Sequence, residues 1–325
     1  MYTVTAEVKK REKTFVEYIK IALREILVWN YTPLVCIPVV CLALFFAREY
    51  YFSSSSNNKG VMAVVYAAIF VLGICLGMVT AGYLLNGKKA DAYLALPIGR
   101  RSILALRLIT MLLICVVLIL VSYVGFYYLT GTDNPTFYEH WAYINVIAPS
   151  EVESLAFRYE GPELWCIYGV RAAFVALAPF ILGFGIGAFC ATLSSFVVFS
   201  VLHALIMLAI NALSVIKLGY DYFIETVSPV WFISKNYYGS NNECESYIWC
   251  WMIAGAVFMF LAVFTVPYVR AERRFKTFAC RGFIVFYAVF ILLGALCILL
   301  PEYCGGLVKT VVEWIYGIEH PVFKN

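Results

Sequence analysis

Residues 103–129 read ILALRLITMLLICVVLILVSYVGFYYL. Apart from Arg107 near its start the run carries no charge, and its Leu, Ile and Val are continuous rather than alternating with polar residues. A hydrocarbon core of about 30 Å takes about 20 apolar helical residues, so the stretch predicts a transmembrane α-helix and not a barrel strand. Runs of the same kind cover 31–46, 61–85, 167–190, 196–216, 248–269 and 283–300; the first of these is short. Composition agrees over the whole chain. Of 325 residues 63% are apolar and 14% charged, with mean hydropathy +0.85, whereas a soluble domain is about half apolar and about a quarter charged. The expected fold is an all-α polytopic membrane protein, in which an N-terminal amphipathic helix (1–30) precedes a bundle of six or seven transmembrane helices. Nucleic-acid binding, a disulfide scaffold and disorder are disfavoured.

Charge placement orients this bundle. With a cytoplasmic N-terminus the inner segments are 1–30, 86–107, 191–195 and 270–282, and they hold 16 of the 24 Lys and Arg but 6 of the 20 Asp and Glu. The inner side is then +10 and the remainder −6. An excess of Lys and Arg marks the cytoplasmic side, so the N-terminus is expected inside.

The outer segments are 131–166 and 217–247. The first contains Pro135, Pro149 and Pro162 with a capping-box pattern at Ser150 and Glu153, which predicts short surface helices. The second carries an aromatic-rich run around Ser228 and Pro229 and reads as interfacial or re-entrant. Most of the 11 cysteines, Cys115 and Cys190 among them, fall inside apolar runs, where Cys acts as a small hydrophobe. Cys166, Cys244 and Cys304 share one side of the expected topology, but their irregular spacing defines no disulfide framework and no ligand pattern.

Catalytic and nucleotide motifs are missing. Gly82, Gly87 and Lys88 imitate a phosphate loop, yet Lys89 stands where Ser or Thr must hold magnesium, and the stretch follows a membrane helix rather than a strand. There is no HExxH, intramembrane Asp pair or nucleophile elbow. His203 is the one ionisable residue expected deep in a span, which argues against ion-coupled transport. The chain is therefore expected not to be an enzyme.

Two segments suggest contacts at the inner surface. Over residues 11–29, Phe15, Val16, Tyr18, Ile19, Ala22, Leu23, Ile26 and Leu27 fall on one half of a helix, with Lys13, Glu17, Lys20, Arg24 and Glu25 on the other. Such a helix lies in the membrane interface. Residues 88–102, KKADAYLALPIGRRS, place Tyr93, Leu94, Leu96 and Ile98 between basic residues and are broken by Pro97 and Gly99. A loop that only satisfied the charge rule would not need this apolar set; apolar residues shown to the cytosol suggest a docking surface.

Asp91, Tyr93, Leu96, Pro97, Arg100, Arg101 and Leu104 match a "DxYxSLPxxRRxL" pattern, with Ala95 where Ser is common. In this the chain resembles the permease subunits of ABC-2 type transporters, in particular Gram-positive exporters and immunity permeases for phenol-soluble modulins or bacteriocins. The amphipathic N-terminus resembles that family's elbow helix, and Ser228-Pro229 its aromatic segment before the sixth span. Tyr268, Arg270, Arg273 and Arg274 resemble its basic run after that span. The resemblance implies a permease of the bacterial plasma membrane, built as a six-span bundle over 31–282, that works as a homodimer or a related heterodimer. Lys89, Asp91, Tyr93, Leu94, Leu96, Pro97, Arg100 and Arg101 would then couple to a cytosolic ATPase subunit. ATP and magnesium would sit on that partner, with no cofactor on this chain, and the cargo would be an amphipathic peptide or a lipid-like molecule. A membrane scaffold or sensor that docks a cytosolic partner is the alternative.

Small residues at intervals of four, Gly73, Gly77 and Ala81, then Gly183, Gly187 and Ala191, allow close helix contact. Packing within one chain is the commoner use; in the family the second and fifth spans line the interface between permeases. Ser200, His203, Asn211 and Ser214 make a polar stripe on the fifth span that must face protein or water. Interhelical bonding and a pathway-facing role both fit it. Beyond the six-span pattern, 283–325 adds an apolar run and tail. Because 283–300 is uncharged and long enough to cross, a seventh span with an outer C-terminus is expected over the family's inner one.

Overall fold

The computed structural model describes residues 58–85, 99–131, 162–194, 196–218, 244–269 and 277–304, with the scattered residues 17, 20, 35, 37, 306, 307 and 310. The described secondary structure is entirely helical. Its elements are α1 (Asn58–Ala81), a 3₁₀ turn (Gly82–Leu84), α2 (Arg100–Gly131), α3 (Pro162–Leu193), α4 (Val197–Leu218), α5 (Cys244–Thr265), a second 3₁₀ turn (Val266–Tyr268) and α6 (Arg281–Leu299). Among the described residues five stretches are long and apolar enough to cross a membrane: Ala67–Leu84, Arg100–Gly125, Ala173–Leu193, Trp251–Tyr268 and Arg281–Leu299. The apolar part of α4, Val197–Leu213, is shorter. The described residues are thus all-helical and include five helical stretches able to span a membrane.

Several boundaries differ from expectation. α2 begins at Arg100, so Arg100, Arg101 and Arg107, assigned to the inner segment 86–107, are helical. α3 begins at Pro162, which had been assigned to the outer segment. Proline is well suited to a first helical turn, where its missing N–H has no partner to lose.

α3 is the hub. It packs against α1, α2, α4 and α5, and 94% of Ala173–Leu193 is buried against 17% of α6. Water plays no part in pressing apolar helices together within lipid, so close approach of backbones must supply the contact. Glycines provide it. Gly73 and Gly77 of α1 face Gly183 and Gly187 of α3; a Cβ on Gly77 would stand 2.8 Å from Ala188 N, and one on Gly187 would stand 2.9 Å from Ile74 Cα. On another side Gly185 of α3 meets Gly255 of α5, and Gly169 meets Val124 of α2. Phe180, Phe184 and Phe189 fill the space that remains. α6 rests on α4, with Ile210 seated over Gly294.

The glycine face of α1, for which packing within the chain was the commoner expectation and a permease interface the other, is filled by α3 of the same chain. Ala81 is buried as well. The opposite face of α1, Val71, Cys75 and Val79, is exposed.

Of residues 1–30, Glu17 and Lys20 are described; both are helical and exposed. Of the first apolar run, Val35 and Ile37 are described, and Ile37 is buried. The segments 132–161 and 219–243 lie outside the described residues, as does the tail beyond 310. Cys166 and Cys304 are free thiols, and the Cys244 side chain is outside the described set.

Candidate functional site

The ends that border the basic segments gather at one end of the bundle. Alternation of the helices brings together the end of α1, the start of α2, the end of α3, the start of α4, the end of α5 and the start of α6. Polar contacts join them. The N–H of Ala279 donates to Leu193 O (2.8 Å), tying residues 277–280 to the end of α3. The hydroxyls of Thr192 and Thr265 lie 3.1 Å apart, linking α3 to α5.

Arg100 and Arg101 open α2. Positive side chains are poorly placed at the positive end of a helix dipole, at a cost of about 0.3–1 kcal/mol each. Both turn to electron-rich groups on α5 and the turn after it. Arg100 Nη1 donates to Val269 O (3.3 Å), and the Arg101 guanidinium carbon sits 5.1 Å above the Phe264 ring. Both side chains remain exposed. This joint ties the start of α2 to Val269, just past the second 3₁₀ turn.

Arg107 lies two turns further in and is buried. Its Nε donates to Thr80 O (3.3 Å), and its guanidinium covers the Tyr83 ring at 4.8 Å. Thr80 Oγ1 in turn donates to Leu76 O (2.7 Å). α1 and α2 are thereby latched at the basic end. A charge so far into a span is costly unless paired, and a carbonyl with an aromatic face is such a pairing. By sequence Arg107 falls near the start of the apolar run 103–129 while its charge counts with the inner segment, and His203 is the one ionisable residue expected deep in a span; the structure buries Arg107 as well.

Ser200 and His203 are buried on α4, facing protein. Ser200 Oγ donates to Phe196 O (3.3 Å) within its own helix. His203 Nε2 lies 3.1 Å from Thr277 O. A carbonyl only accepts, so Nε2 carries the proton and Nδ1 holds a lone pair. The imidazole packs against the rings of Phe278 and Tyr287, with centroids 4.9 Å and 4.7 Å away. Among the described residues neither His203 Nδ1 nor Tyr287 Oη has a hydrogen-bond partner. Asn211 is half-buried, and the Ser214 side chain is outside the described residues. The expected stripe thus resolves, at Ser200 and His203, into bonds within the chain; His203 pins the strap 277–280 over α4 and α6.

Lys89, Asp91, Tyr93, Leu94, Leu96 and Pro97 lie outside the described residues. Neither a protein-family model, nor a curated protein, nor a solved structure matches the chain.

Proposed function

We propose that this chain is the permease subunit of an ATP-driven ABC exporter that moves amphipathic or antimicrobial peptides out of a bacterial cell. In this reading the N-terminus is cytoplasmic and 1–30 is an elbow helix on the inner surface. Residues 86–98 dock on a separate ATPase subunit that holds ATP and magnesium. Tyr93, Leu94 and Leu96 supply the apolar contact. ATP binding draws two ATPase subunits together, and the docked segments move with them.

The observation that carries this reading is the joint of Arg100 with Val269. It ties the start of α2 to the end of α5, and the Arg107–Thr80 bond ties α2 to α1. Both of those partner helices press on α3, so in this reading a push delivered to the start of α2 reaches the rest of the bundle. The second permease chain would meet the exposed face of α1 at Val71, Cys75 and Val79, since the glycine face is occupied. α6 supplies a seventh span and sets the C-terminus outside; a cysteine at Asn325 should then react with an impermeant thiol reagent on intact cells, and protection until the membrane is opened would refute it.

The testing experiment is isolation of the tagged chain from its native membrane. An ATPase subunit should co-purify, and Leu96→Asp should release it. Burial of a large apolar side chain is worth about 1.5–3 kcal/mol, which is roughly a tenfold to hundredfold change in affinity. A bound partner that does not hydrolyse ATP would favour the scaffold instead.

A further inference from the structure

The sequence has no Asp or Glu from Ala92 to Thr132, nor from Ser246 to Ala271. α2 and α5 therefore bring no carboxylate to the corner where they meet at the basic end, yet Arg100 and Arg101 both stand there, exposed. Arg101 lies over Phe264, which belongs to a column of rings on the outward face of α5. Phe260, Phe264 and Tyr268 are 68%, 47% and 53% exposed, and successive centroids are 6.3 Å apart. The candidate span Trp251–Tyr268 is only 22% buried, so in a bilayer this column would face the acyl chains. The two guanidinium groups sit where the column reaches the end of the span, at headgroup depth.

Geometry leaves their donors available. The Arg101 guanidinium carbon lies 5.1 Å from the Phe264 centroid, and a single ring occupies only part of a fork with five N–H donors. Arg100 uses Nη1 on Val269 O and has further N–H groups in its planar fork. Two adjacent forks suit the oxygens of a phosphate, which they can take with paired hydrogen bonds. The apolar column below suits an acyl chain.

We propose that this corner is a binding site for an anionic phospholipid of the surrounding leaflet: Arg100 and Arg101 hold the headgroup phosphate, and Phe260, Phe264 and Tyr268 carry a chain. A zwitterionic lipid offers the same phosphate but brings its own cation toward the two arginines, so it binds less well. The site stands independently of the export reading. It assigns Arg101 to the lipid side of the bundle rather than to a protein partner.

The test uses the full chain in nanodiscs of equal parts phosphatidylglycerol and phosphatidylcholine, with the lipids retained on release counted by native mass spectrometry. The chain should retain phosphatidylglycerol preferentially. Arg101→Gln should lower that preference about fivefold, the effect of one basic residue at an anionic surface, and adding Arg100→Gln should lower it further. Arg101→Lys should keep most of it, Phe264→Leu should lose part, and Arg281→Gln, at the same end on α6, should leave it unchanged. Soluble glycerol 3-phosphate should not displace the retained lipid. Absence of preference, equal preference in the double variant, or an equal loss with Arg281→Gln would overturn the proposal, and so would displacement by glycerol 3-phosphate.

Discussion

Gly77→Ala probes the contact on which the bundle turns. The new Cβ would stand 2.8 Å from Ala188 N and 3.0 Å from Phe184 C, and it would strike Phe184 O. All of these atoms are backbone in the middle of a helix, so no rotamer can yield. Reaching ordinary contact at Ala188 requires α1 and α3 to part by about 0.6 Å, and a gap of that order forfeits a quarter to a half of each dispersion well along the seam. Overpacking of this kind costs about 1–3 kcal/mol, and the backbone collision puts Gly77 toward the upper end. In a thermal melt of the purified protein, that corresponds to a fall of roughly 3–5 °C. Gly125→Ala, on α2, is the matched control, because among the described residues nothing lies within 4 Å of its added Cβ; it should melt like the parent. If the two variants melt alike, Gly77 does not set the distance between α1 and α3.

The Arg107–Tyr83 pair should show a coupling of about 1–2 kcal/mol in a double-mutant cycle of Arg107→Met and Tyr83→Leu, read by melting; additive losses would refute the latch. Tyr287→Phe removes a buried hydroxyl that has no partner among the described residues and should leave stability unchanged or raise it by about 1 kcal/mol. A clear loss would mean that the hydroxyl is paired. His203→Leu should free the strap from its Thr277 anchor and speed tryptic cleavage among Arg270, Arg273, Arg274 and Lys276, whereas an unchanged cleavage rate would show that Ala279 alone holds it.

The spans were legible because a run such as 103–129 has few alternatives: its length and lack of charge fit a membrane-crossing helix. Spacing at Gly73 and Gly77 likewise announced a close contact. It could not say with what, since a glycine ridge fits a neighbour in the same chain as well as one in another, and only the register of α1 on α3 decides between them. Gly185 and Gly255 went unread because neither belongs to a spaced set on its own helix; their match exists only across helices. The fate of Arg107 hung on where α2 begins. A start at Ile103 leaves Arg107 at the rim, and a start at Arg100 carries it inside, where it needs Thr80 and Tyr83 from another helix. His203 was visible as an anomaly in a span, but its partner Thr277 lies 74 residues away in a segment with no periodicity to read.

In the proposed reading, residues 86–98 couple this chain to an ATPase through α2. The most direct measurement is ATP hydrolysis by the co-purified complex in lipid vesicles, compared between the parent, Leu96→Asp and Arg101→Ala. Hydrolysis should depend on this chain, collapse in Leu96→Asp, and be altered far less in Arg101→Ala, whose guanidinium lies over Phe264. Hydrolysis and capture left intact by Leu96→Asp would contradict the claim.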